Sequence, residues 1–161
     1  MTIFFKDQIT YRGPATQVDE SALYNLGTVA HGLDDTYGPV ELIYLKVGSG
    51  VTEALGSVVG FGGDYETVLA VANGIYSGVA VALGAATADQ YAWHVKRGNV
   101  PTLVAASFAD NADVYLTATA GTVDDAVVAG DYVYKAKSIS AISGGLAVIF
   151  FNDSFTTDGL A

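Results

Sequence analysis

The chain has no cysteine, so disulfides, thiolate metal sites and cysteine nucleophiles are all excluded. It has only two histidines, His31 and His94. Serine catalysis needs an imidazole beside the nucleophile and a third group to orient it, and neither histidine has a Gly-x-Ser-x-Gly elbow near it. His31 lies in a Gly/Asp turn, and His94 alternates with Lys96 along a strand face, so both read as solvated or interface imidazoles. Charged residues make up only 15% of the 161, against about 25% in ordinary domains. Basic residues are scarcest, seven against seventeen acidic, for a net charge of −10. That balance argues against direct nucleic-acid binding, which needs clustered Lys and Arg. Long apolar runs are missing too. The longest, residues 68–72 and 146–151, are strand-sized and far short of the roughly 20 residues of a membrane span, so no membrane association is expected. The N-terminal MTIFFKDQ carries a lysine after its apolar residues and no small-residue cleavage site, unlike a signal peptide.

Apolar residues fill 51% of the chain, with nineteen glycines and ten tyrosines. A chain of this length holds one domain with a real core and is too apolar to be disordered. A lone copy so poor in charge has too little polar surface to cover its exterior, which predicts that part of it is buried against other chains.

From residue 21 onward, strand-like runs recur every 8–12 residues, the rhythm of a sandwich or barrel. The runs are 23–30, 40–47, 56–61, 65–72, 75–83, 91–97, 100–106, 113–119, 131–139 and 146–152, separated by Gly, Asn, Asp and Pro. Residues 31–39, HGLDDTYGP, read as a turn cluster, and Asn73-Gly74 as a tight turn. Residues 40–47 are apolar on both faces apart from Glu41 and Lys46, as in a strand buried on both sides. Asp19 offers an alternative N-cap for a short helix, with Gly27 just past its end. No 11–18-residue window carries a helical stripe, and the turns are too short for parallel crossovers. The expected fold is all-β: a mainly antiparallel β-barrel, β-tulip or sandwich of short strands over residues 21–152. Residues 1–20 read as an extended N-terminal arm with an apolar tip at Ile3, Phe4 and Phe5, interrupted at Tyr11-Arg12-Gly13-Pro14, and 153–161 as a C-terminal tail.

Candidate chemistry is sparse. The pairs Asp34/Asp35 and Asp124/Asp125 lack the loop of alternating acids that a calcium site needs, and Asp in turns normally bonds its local backbone. Gly48-Ser49-Gly50 and the glycines around Phe61 lack the lysine or the spacing of a phosphate-binding loop. No catalytic residue, metal or cofactor is expected. Four of the seven basic residues, Lys96, Arg97, Lys135 and Lys137, fall on two late strands. Lys135 and Lys137 share one face by the two-residue period. On so acidic a chain these cations suit carboxylates of a neighbouring subunit or another protein.

The segment Gln90–Gly98 (QYAWHVKRG), then Val104–Ala106, then Val114–Gly130 (VYLTATAGTVDDAVVAG) resembles a pattern found in tailed-bacteriophage head proteins. In that pattern a Tyr-x-Trp strand precedes an alanine-rich strand and a VYLTATAG-x-VDDA hairpin. Gly74–Leu83 (GIYSGVAVAL) resembles the pattern's Gly-Val-Ala strand. The resemblance covers about residues 22–152 and is strongest over 88–139. It implies a capsid decoration, or cement, protein: a small β-barrel or β-tulip, often trimeric, on the outer face of the head. Such a protein is made in the host cytoplasm and clamps neighbouring subunits of the major capsid protein against internal DNA pressure. The partners implied are the major capsid protein and two sister copies. Expected contact residues are Ile3, Phe4, Phe5, Tyr11, Arg12, Lys96, Arg97, Lys135 and Lys137. The alternative is a head-fibre or tail-associated β-structural protein whose exposed Tyr and Trp stack on sugars.

Overall fold

The computed structural model describes residues 1–5 and 14–157. It contains fourteen strands and no helix among those residues, so the chain is all-β. The cause is local. Short runs rich in β-branched and aromatic residues are each closed by Gly, Asn or Asp. Where Asp19 offered a helix start, Val18–Asp19 is a strand (β2) followed by bends and turns.

Five strands close a small ring. β4 (Gly38–Val47) pairs in parallel with β7 (Glu66–Leu69), β7 with β6 (Val58–Phe61), and β6 with β8 (Gly78–Ala82). The long β10 (Tyr91–Leu103) then pairs with both β8 and β4. From this ring the sheet extends two ways. β3 (Val29–Asp34) and β1 (Ile3–Phe5) add beyond β4. β14 (Leu146–Phe155), β13 (Tyr132–Ser138), β11 (Asp113–Leu116) and β12 (Val123–Asp124) add beyond β10. A separate ribbon pairs β5 (Thr52–Glu53) with β9 (Ala86–Thr87).

The two-residue period sorts the core. Along β4, Leu42 and Tyr44 join the main cluster with Val81, Trp93, Val95, Ile149 and Phe151. Ile43 and Leu45 face the other way and form a small second cluster with Val59 and Ala80. This is the two-sided burial read from residues 40–47.

Sequence divides residues 91–106 into two strands at Gly98, yet β10 runs through it for thirteen residues. A register shift between Val95 and Arg97 marks a bulge, and Gly98 takes φ +115°. A Cβ there would lie 2.6 Å from the carbonyl oxygen of Pro39. The bulge resets the alternation. Before it Trp93 and Val95 face the main core; after it Val100 and Thr102 are the buried positions, while Arg97 and Asn99 turn outward. Gly98→Ala is expected to lose about 1–3 kcal/mol from backbone strain, and more from the clash, read as a lower urea midpoint.

Three boundaries differ from the sequence reading. The turn expected over 31–39 shrinks to residues 35–37, because Asp34 Oδ1 accepts the N–H groups of Thr36 (2.9 Å) and Tyr37 (2.7 Å), letting β3 and β4 extend to it. Residues 1–20 are not wholly an arm. β1 pairs with β3, Ile3 packs against the main core, Ala15 is buried, and β2 pairs with β10. Residues 153–157 are not a tail either. β14 continues to Phe155, and Thr156 Oγ1 donates to the Gly74 carbonyl (2.8 Å) while accepting from Tyr76 N–H (2.9 Å). Runs of two or three residues carry no readable period, so only their partners reveal them as strand.

Candidate interaction face

Directly opposed residues of antiparallel strands share a face, and the registers build two rows across the sheet. The first places Phe4 beside Leu33 and Leu33 beside Pro39, then resumes with Asn99 beside Phe150 and Phe150 beside Lys137. The second runs His31, Glu41, Arg97, Asn152. Phe4, Leu33 and Phe150 are 56%, 37% and 39% exposed, high values for large apolar side chains. Between the rows opens a cleft of about 660 Å³ lined by Pro39, Val40, Glu41, Arg97, Asn99 and Phe150, among others.

Charge in this cleft is unevenly matched. Glu41 Oε2 lies 3.2 Å from His31 Nε2, and its Oε1 lies 3.0 Å from Lys96 Nζ, which also meets Asp153 at 2.8 Å. Burial pulls the Lys96 ammonium down, but the hydrogen bonds it donates to Asp153 and Glu41 overcome it and hold the group above its ordinary range. Arg97, in register with Glu41, makes no ion pair among the described residues, although it lies on a chain with a large acidic excess.

The expected contact residues therefore divide. Phe4 and Arg97 lie on the open face, with Lys137 at its edge. Ile3 turns inward, Phe5 meets Gly32 through the backbone pairing of β1, and Tyr11 and Arg12 lie outside the described residues. Lys96 and Lys137 pair within the chain, Lys137 with Asp113 at 2.9 Å, so their charges are not left over for a neighbour. Lys135 sits at a bulge with φ +60°, its ammonium 5.8 Å from the centre of the Phe155 ring.

Two features escaped sequence reading. First, His94 is neither solvated nor at an interface; it is fully buried. Its Nε2 lies 2.8 Å from Glu53 Oε2 and its Nδ1 3.1 Å from the Ala92 carbonyl, while Thr67 Oγ1 donates to Glu53 Oε1 at 2.5 Å. Burial pushes the Glu53 carboxyl up, yet the attraction of His94 and the hydrogen bonds from His94 and Thr67 outweigh it and hold the group below its ordinary value. Glu53 lies 41 residues from His94 on a two-residue strand, so no local pattern announces the pair. Second, an aromatic row crosses β11, β13 and β14. Tyr115 and Tyr132 have ring centres 5.4 Å apart, Tyr132 and Tyr134 4.8 Å, and Tyr134 and Phe155 5.1 Å with nearly parallel planes. Burial first, and the charge of Asp113 second, raise the Tyr132 hydroxyl above its ordinary range. The alternation of Tyr132 and Tyr134 was the available signal.

The paired acids behave as turn residues. Asp34 holds the β3–β4 turn, and Asp125 Oδ2 accepts the Ala109 N–H at 3.0 Å. Among the described residues no three metal-ligating side chains gather. No family model matches the chain, and no curated protein matches it either.

Proposed function

We propose that this chain is a structural virion protein that coats the outer surface of a tailed-phage head. Acting as a homotrimer without catalytic activity, it clamps neighbouring subunits of the major capsid protein. The observation that carries the reading is the open face, where Phe4, Leu33, Pro39 and Phe150 stand exposed beside Arg97. Solvated β faces ordinarily carry alternating polar residues. An apolar row with a cation that has no ion-pair partner among the described residues suits coverage by another chain. Many copies on one shell add their modest contacts by avidity. The sequence resemblance supplies the identity of that shell. Purified protein is expected to run as a trimer by light scattering and to bind expanded shells that lack it. A protein that leaves such shells bare at saturating concentration would refute the reading.

A second reading draws on the aromatic row Tyr115, Tyr132, Tyr134 and Phe155, which lies beside Asp113 and Lys137. Rings that stack on sugar C–H faces, flanked by groups that bond hydroxyls, suit a head-fibre or tail-associated protein with a carbohydrate ligand. Glycan-array binding lost on Tyr134→Ala, with no affinity for shells, would favour it.

A further inference from the structure

We propose that copies of this chain associate head to tail, the loop 126–129 of one copy seating in the cleft between β4, β10 and β14 of the next. This rests on the homotrimer of the preceding reading and names its seam. The loop joins β12 to β13 and reads Ala126-Val127-Val128-Ala129, all four residues exposed. Val127 is 80% exposed, the highest of the exposed large apolar residues among those described, and Val128 is 45% exposed. Tight turns are normally polar, and four consecutive exposed apolar residues are unfavourable in water unless something covers them. The cleft is the complementary shape: a concavity with Pro39, Val40 and Phe150 on its walls.

Charge matches in the same sense. Asp124 and Asp125 immediately precede the apolar tip. Each uses one carboxylate oxygen, Asp124 Oδ1 accepting from Asp125 N–H and Asp125 Oδ2 from Ala109 N–H. The second oxygen of each makes no hydrogen bond among the described residues. In the cleft stands Arg97, which lacks an ion-pair partner among the described residues. Apolar tip on apolar wall then brings an acid towards that guanidinium, a charge-assisted contact of the stronger kind.

The loop cannot fill the cleft of its own copy. β13 begins beside the loop at Tyr132 and reaches Lys137, the register partner of Phe150 at the cleft, five residues later. At about 3.4 Å per residue that strand holds the two features roughly 17 Å apart. A surface pair of this kind, different on its two sides, is heterologous, and where the rotation between copies closes, as a homotrimer requires, it makes a ring with every tip and cleft occupied.

The test uses full-length protein and light scattering across a dilution series. Wild type is expected to be trimeric. Val127→Asp and Arg97→Glu, both surface changes, should leave thermal unfolding of the subunit intact and weaken association roughly 30-fold or more. Val127→Ser, a milder change, should weaken it less. The decisive arm mixes the two. Val127→Asp copies keep a working cleft and Arg97→Glu copies keep a working tip, so the mixture makes one good contact and should give one-to-one dimers that do not close. Trimers that persist in both variants would overturn the tip-in-cleft seam and leave the trimer standing. Variants that dissociate but form no mixed dimer would also overturn it. A monomeric wild type would overturn the homotrimer, and the seam with it.

Discussion

His94→Ala is expected to lower the unfolding free energy by about 3–5 kcal/mol, a large share of the roughly 5–15 kcal/mol of an ordinary domain. Glu53 and His94 are both fully buried and bonded to each other at 2.8 Å. Removing the ring leaves a carboxylate in the interior with, among the described residues, only Thr67 Oγ1 as a partner, and the cost is that of an uncompensated buried charge. Thr67→Val removes one bond and leaves the pair, so about 1–3 kcal/mol is expected. Replacing both members, Glu53→Met with His94→Leu, removes the charge as well as its partner and should recover much of the loss. Acid gives an independent check. Because the Glu53 carboxyl is held below its ordinary value of 4.5, its contribution is present in full above that value. It is lost as the pH falls through the folded-state value, and wild type should show an added fall in melting temperature there that Glu53→Met/His94→Leu lacks. Urea midpoints for the four proteins decide the matter. A loss below about 1 kcal/mol for His94→Ala would mean that the pair exchanges with water.

Much of the fold was legible because the turns are written in the sequence and the strands keep a period of two. Residues 40–47 showed their two-sided burial directly. What could not be read was pairing. Ile3–Phe5 became a strand only because β3 lies beside it, and Gly98 looked like a strand end because its role depends on the Pro39 carbonyl 59 positions earlier. The candidate face was legible in part. Arg97 was picked out as one of four late-strand cations and Phe4 as part of an apolar tip, but their placement on one face needs the register of four strands. His94 was misread because its neighbour Lys96 is only partly buried and ion-paired; the bulge after Val95 separates the surroundings of two residues that a simple alternation would group.

Trp93→Ala is the second substitution expected to cost about 3–5 kcal/mol, by a different route. Trp93 adjoins His94 on β10 but faces the main core, where it is 4% exposed. Its ring lies 5.1 Å from Tyr44 and 5.2 Å from Tyr24, both inclined to it. Tyr44 in turn stacks on Tyr91 and donates its hydroxyl to Asp19 Oδ2 at 2.7 Å. The aromatic group therefore fastens β2 to β4 and β10, and alanine would leave a cavity that rigid rings cannot fill by small shifts. Trp93→Phe keeps one ring in the gap and should cost less than half as much. The near-ultraviolet circular dichroism of the folded alanine variant should lose its tryptophan band and keep its tyrosine signal, since this is the one tryptophan of the chain. The same burial bears on function. A ring covered on both sides has no face to offer a sugar, so on the carbohydrate reading the stacking rings are those of the Tyr115–Phe155 row and not Trp93, and Trp93→Phe should leave glycan binding unchanged while Tyr134→Ala abolishes it. Loss of glycan binding in a stably folded Trp93→Phe protein would place the sugar at the tryptophan and break that argument.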